Sequence, residues 1–288
     1  MRNRNNSHRS GFRTAIGLGS GATVLLCVAL AVPAFGYTSR ITRTVVVAQL
    51  RNGTATAVCP KGQHVSFGGV VGEFKPPPKT IGHAYVFPTT MRRSARDRWT
   101  VIGQSEAIGT GSHLSAVAYC DRGTAPSIVS RTVPLPSYGV NTAIATCPPG
   151  TVVVGGGYSS GSSLTHIEYV GQLAVETPRQ WAVSMVNIVK AATTITATAY
   201  CAKGPAPTEH SVVLKLAGHR MGTARVICPA PTRLVFGGVV VSPPSGTAGH
   251  LSAVVPFSWS APSTKQWTVK GYNLGGVTGT LVALAYCR

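Results

Sequence analysis

Residues 147–201, CPPGTVVVGGGYSSGSSLTHIEYVGQLAVETPRQWAVSMVNIVKAATTITATAYC, decide the fold, because the chain contains their pattern three times. Cys147-Pro148 opens the stretch, Gly155-Gly156-Gly157 and His166 follow, and Trp181 precedes the closing Tyr200-Cys201. On the N-terminal side the same order reads Cys59-Pro60, Gly68-Gly69, His83, Trp99 and Tyr119-Cys120. On the C-terminal side it reads Cys228-Pro229, Gly237-Gly238, His250, Trp267 and Tyr286-Cys287. Such a period marks supersecondary units that bury their apolar faces on one another. The units expected are residues 37–122, 123–203 and 204–288, joined by the short turns Asp121–Pro126 and Ala202–Pro207.

Within a unit, short apolar runs alternate with turn residues, and no stretch beyond the N-terminal leader has a helical period, so the chain reads as all-β. In the first copy, strands are expected at 43–50, 54–59, 63–71, 82–87, 98–103 and 113–120. Asn52-Gly53 predicts a hairpin between the first two, and Pro88 is expected to end the fourth. Three closely joined antiparallel units predict one pseudo-threefold, prism-like body; the alternative is three small β-sandwiches in a row. In the last strand, Leu114, Ala116, Ala118 and Cys120 share a face, and the other copies repeat the two alanines, so a neighbour must approach closely there. The glycine pair carries the same message. Trp99, Trp181 and Trp267, each two residues before a valine, are expected as core anchors; the competing reading is a sugar-stacking platform.

The chain opens with Arg2, Arg4, Arg9 and Arg13, continues in an apolar run from Ala15 to Val32, and reaches small residues at Ala34-Phe35-Gly36. That is the layout of a secretory signal, residues 1–36, with cleavage before Tyr37; an uncleaved signal-anchor is the alternative. Those four arginines are the only charges in the leader, so the formal net charge of +19 becomes +15 without it. Export and charge point to an extracellular or cell-surface protein with polyanionic partners, to no nucleic-acid partner, and to no membrane contact once the leader is removed.

Six cysteines follow the leader, two per unit, as suits an oxidising compartment. Either each unit closes on itself (Cys59 with Cys120, Cys147 with Cys201, Cys228 with Cys287) or neighbours are stitched (Cys120 with Cys147, Cys201 with Cys228, Cys59 with Cys287). The first is favoured because a unit that carries both partners can fold alone; each bridge then stabilises by roughly 4 kcal/mol.

The order C-P-x-G, Gly-Gly, a Pro-bearing loop, W-x-V and A-Y-C resembles a repeat of uncharacterised secreted bacterial proteins, over nearly all of residues 43–288. The third copy departs from it, with Ala230-Pro231-Thr232 in place of the expected glycine. A second likeness, in three β-rich units with disulfides, is to the vitelline membrane outer layer protein I family. That likeness implies a threefold β-prism and sugar binding, and no site residue carries over.

Chemistry has few footholds. His83, His166 and His250 occur once per unit and would meet on a threefold axis if they pointed inward, where three imidazoles suit a metal; repetition by duplication is the simpler account, and no cofactor is expected. The seven acids do not recur at equivalent positions, and no G-x-S-x-G elbow or phosphate loop is present, so no catalytic residue is assigned. Arg92, Arg93, Arg96 and Arg98 lie in what reads as the longest loop of the first unit and form the candidate polyanion contact. The function expected is a non-enzymatic binding or adhesion module for envelope or extracellular polymers, glycan or polyanion. A structural surface protein is the alternative, and a metal-dependent or hydrolytic enzyme a distant third.

Overall fold

In the computed structural model the described residues are 37–75, 84–105, 111–161, 168–241 and 254–288, and they contain strands and no helix. The first repeat supplies β1 (Ser39–Val47), β2 (Asn52–Val58), β3 (His64–Gly72), the short β4 (Phe74–Lys75), β5 (Ala84–Ala95), β6 (Arg98–Ser105) and β7 (Ser112–Asp121). The second supplies β8 (Ser127–Leu135), β9 (Val140–Thr146), β10 (Val152–Ser160), β11 (Glu168–Thr177), β12 (Gln180–Asn187) and β13 (Thr193–Ala202). The third supplies β14 (Thr208–Leu216), β15 (Met221–Ile227), β16 (Leu234–Val241), β17 (Val254–Ser263), β18 (Gln266–Asn273) and β19 (Gly279–Cys287).

Every repeat divides its strands between two sheets, and every sheet draws on two repeats. The strand orders are β1-β7-β3-β17-β18-β15, β2-β6-β5-β10-β13-β8 and β14-β19-β16-β11-β12-β9, all pairings antiparallel. Three junctions close the cycle: Val70 opposite Trp259, Met91 opposite Tyr158, and Leu173 opposite Val239. Repeats paired edge to edge in this way form one pseudo-threefold body, and independent sandwiches are excluded. The disulfides are Cys59–Cys120, Cys147–Cys201 and Cys228–Cys287, each with a Cα separation of 5.7 Å. Each pins together the two layers of its own repeat.

Two expectations are corrected. Asn52-Gly53 makes no hairpin, because β1 and β2 lie in different sheets. The chain crosses between layers over Ala48–Arg51, with Leu50 in the left-handed region at φ 51°, and Tyr138 and His219 repeat this at 48° and 54°. Gly53 serves the close approach of layers: a Cβ there would lie within 2.4 Å of Val47 Cγ2. Pro88 does not end its strand either. β5 passes through it to Ala95 with a register shift between Pro88 and Thr90, so the missing N–H costs no ladder bond.

The repeated motif is the internal frame. Trp99, Trp181 and Trp267 are 0%, 1% and 1% exposed, which removes the sugar-platform reading. A Cβ on Gly68, Gly156 or Gly237 would fall 2.1 Å from the respective indole, so the first glycine of each pair is the bed of the ring. The indole N–H then donates to the carbonyl of the second glycine, Gly69, Gly157 or Gly238, at 3.1, 3.2 and 2.9 Å. The tyrosine before each closing cysteine reaches across the junction to the preceding repeat of the cycle. Arg93 N–H donates to Tyr200 Oη at 2.6 Å, Val175 N–H to Tyr286 Oη at 2.8 Å, and Ala261 N–H to Tyr119 Oη. The motif is therefore what joins the repeats.

Candidate functional site

Antiparallel pairing sorts the turns to two ends of the body. One end carries the disulfides, the inter-repeat turns, Tyr37 and Arg288, and the tips of the β5–β6, β11–β12 and β17–β18 hairpins. Those tips are hung in the same way in each repeat: the N–H of Cys59, Cys147 and Cys228 donates to the carbonyl of Asp97, Arg179 and Lys265 at 2.7 to 2.8 Å.

Arg92–Arg98 is part of this end, but it is a strand and tight turn and not a long loop. Ala95 pairs with Arg98 across Arg96-Asp97. Strand alternation then separates the arginines that the sequence had grouped. Arg93 turns inward and is 7% exposed. Its Nη1 donates to Val65 O at 3.3 Å, its Nη2 to Pro126 O, and its guanidinium lies 5.0 Å from the centroid of the Tyr200 ring. Arg93 is thus a strut between the first and second repeats and drops out of the candidate contact surface.

Arg92, Arg96 and Arg98 remain exposed. Arg96 donates to Gly123 O at 3.2 Å, which brings Arg122 alongside, and the nearest acid to Arg98 is Asp97 at 3.9 Å with both side chains open to water. Next to Arg92 runs a hydroxyl row, Ser94 to Thr100 at 2.7 Å and Thr100 to Thr56 at 3.1 Å. Beneath the tip lies His64, 3% exposed and with Nδ1 lacking a partner. Burial holds its pKa below the ordinary value; Asp121 opposes that shift, and Arg93 and Arg96 reinforce it.

The rest of this end was not legible as one surface, since its residues are scattered along the chain. Arg40, Lys61 and Arg122 join the first-repeat arginines, Arg179 and Lys203 come from the second repeat, and Arg233, Lys265 and Arg288 from the third. Among the described acids, Asp97, Asp121, Glu176 and Glu209 share this end, against the more numerous arginines and lysines just named. Positive charge is therefore concentrated here.

The opposite end holds a small aromatic cleft, with room for little more than one water, that sequence reasoning missed, lined by Phe74, Tyr85, Phe87, Val255, Phe257 and Tyr272 among others. Phe74 stacks on Tyr272 at 4.3 Å between ring centroids, and Tyr85 meets Phe87 edge-on at 4.1 Å. Phe257 occupies a bulge whose counterparts are Thr89 and Gly171, a departure from the repeat that was available as a signal.

His83, His166 and His250 lie outside the described residues. Among the described residues no group of three or more His, Cys, Asp or Glu side chains could hold a metal ion. Glu73 and His113 form a pair, Oε2 to Nδ1 at 2.7 Å. No protein-family model matches the chain, and no curated protein matches it.

Proposed function

We propose that the chain is an exported, non-enzymatic binding protein that holds anionic polymers of the cell envelope or its surroundings on the disulfide end. The observation that carries this is the concentration of exposed arginine and lysine on that end, with Arg92, Arg96 and Arg98 held on a rigid hairpin. Forked guanidinium donors suit phosphate, sulfate and carboxylate. Export is supported by the basic-then-apolar leader, and three disulfides fit an oxidising compartment.

The edges of the sheets weigh against the alternative of a self-assembling surface protein. Four of the strands with an open edge, β1, β8, β14 and β15, carry exposed Arg43, Arg131, Lys215 and Arg225. Charge on an edge strand opposes edge-to-edge assembly. The test is elution of residues 37–288 from heparin and from purified wall polymers in a salt gradient. Retention that weakens with salt is expected, with earlier elution for Arg92→Ser/Arg96→Ser/Arg98→Ser. No retention on any polyanion would refute the proposal.

A further inference from the structure

We infer that the protein pairs with a second copy of itself through the open edge of β14, in one antiparallel register centred on Val212. The first observation is a break in the repeat. β1, β8 and β14 are the equivalent edge strands, and Arg43, Arg131 and Val212 hold the same place in them, opposite Ala116, Ala197 and Ala283. Those alanines lie on the buried face that carries the closing cysteine, so Arg43 and Arg131 are charges turned inward at a sheet edge, a device that keeps edges from pairing. β8 adds Pro134, which has no N–H to give. β14 has neither: its middle is Ser211-Val212-Val213, with Val212 38% and Val213 59% exposed.

The second observation is what this edge offers. The main chains of Arg233 and Arg288 exchange both of their hydrogen bonds, at 2.9 Å each way, so the even-numbered residues of β19 bond toward β16 and the odd-numbered ones toward β14. Thr208, His210, Val212 and Leu214 therefore direct their backbone groups to β19, while those of Glu209, Ser211, Val213 and Lys215 point to the open side. A second β14 laid antiparallel with Val212 against Val212 sets Glu209 against Lys215 and Ser211 against Val213 on both sides of the two-fold. These are the residues whose backbone groups face outward, so the two strands satisfy one another.

Charge selects the second copy as the occupant. Glu209 and Lys215 are exposed and share the outer face of β14, where opposite charges directly across a strand pair attract. Moving the centre to Ser211 or Val213 loses that match, so Lys215 restricts β14 to this register. The same pairing of β1 or β8 would set Arg43 or Arg131 against itself. Arg225, on the neighbouring edge β15, lies opposite Thr268 on the outer face of another sheet. A two-fold pair closes on itself and leaves the other charged edges free, so it builds no lattice. It also turns the two disulfide ends in opposite directions; on the reading of that end as the anion-binding face, the pair bridges two polymers.

All three sheets and all three disulfides are built from residues 37–288, so that segment carries the complete fold and is the protein to test. Sedimentation velocity across the micromolar range is expected to show a dimer. Val212→Arg restores the arginine of the other repeats, and Lys215→Glu sets Glu209 against a like charge; each should weaken pairing on the order of a hundredfold. Glu209→Lys/Lys215→Glu exchanges the two charges and should restore it. A monomer throughout would overturn the inference and leave the edge to a strand of another protein. A dimer indifferent to Val212→Arg would move the interface elsewhere, and failure of the charge exchange to rescue Lys215→Glu would overturn the register. Val212→Arg and Lys215→Glu leave the cations of the disulfide end in place, so their elution from heparin reports on the polymer reading independently of pairing. Circular dichroism of the variants separates lost pairing from lost fold.

Discussion

Trp99 lies against Gly68 so closely that a Cβ on the glycine would sit 2.1 Å from indole Cε2, while the indole N–H donates to Gly69 O at 3.1 Å. A methyl group at position 68 must displace a fully buried ring and break its bond. Gly68→Ala is expected to destabilise by about 3 kcal/mol or more, beyond the usual range for overpacking because the ring has no free volume to enter. Gly62→Ala is the control: its φ of 80° costs strain, but nothing lies within 4 Å. The control loses about 1 kcal/mol. Urea midpoints of the two variants compare the costs directly; equal losses would mean that the ring can move aside.

Tyr200 crosses the join between the first two repeats, where its hydroxyl accepts from the Arg93 N–H at 2.6 Å. Tyr200→Phe leaves that buried N–H unpaired and should cost about 1–3 kcal/mol. Burial also raises the pKa of Tyr119, Tyr200 and Tyr286 well above the ordinary value of 10.0. A raised acid pKa stabilises the folded state below the unfolded value, and this contribution is lost as pH rises past it. Stability should therefore fall steadily above pH 10, more gently in the Tyr119→Phe/Tyr200→Phe/Tyr286→Phe variant. Denaturant titrations across that range measure the two slopes, and parallel curves would show that the phenols do not govern alkaline stability.

His64 predicts the acid side. Its folded pKa is lowered, chiefly by burial, so the unfolded chain binds more protons as pH falls below about 6.5. Stability should decline from there down through the lower, folded pKa. Val152 occupies the corresponding place in the second repeat, where it pairs with Ala202 as His64 pairs with Asp121. His64→Val should flatten the decline and raise stability at pH 5 by removing an unpartnered buried nitrogen. An unchanged pH profile in that variant would assign the decline to other groups.

The period of Cys-Pro, Gly-Gly, Trp and Tyr-Cys made the all-β architecture and the single body readable, because each motif residue has a structural task that any copy of the repeat must meet. Asn52-Gly53 misled because a turn dipeptide does not reveal whether the flanking strands pair or face each other. Pro88 misled because a bulge excuses a missing N–H. The grouping of Arg92, Arg93, Arg96 and Arg98 was half readable: strand alternation, had the segment been taken as a strand, separates Arg92 from Arg93. The basic end and the aromatic cleft were hidden, since both assemble residues from different repeats and only the closed cycle of sheets brings them together.

Arg92 and Arg93 are neighbours with opposite tasks, and their substitution separates binding from stability. Arg93→Ser removes two donors to the Val65 and Pro126 carbonyls and the cation over Tyr200, all in a buried join. A loss of about 2–4 kcal/mol is expected, from the unsatisfied carbonyls and the cavity left by the side chain. Arg92→Ser touches a solvated side chain and should stay within about 0.5 kcal/mol of the parent. Salt elution from heparin should show the reverse order under folded conditions: the Arg92 variant elutes early, and the Arg93 variant, whose cation faces the protein interior, elutes with the parent. Arg93→Lys sharpens the assignment. It keeps the charge but cannot span both carbonyls with a planar fork, so it should recover little of the stability. Full recovery by lysine would reduce the strut to a charge; early elution of the folded Arg93 variant would return this residue to the binding surface.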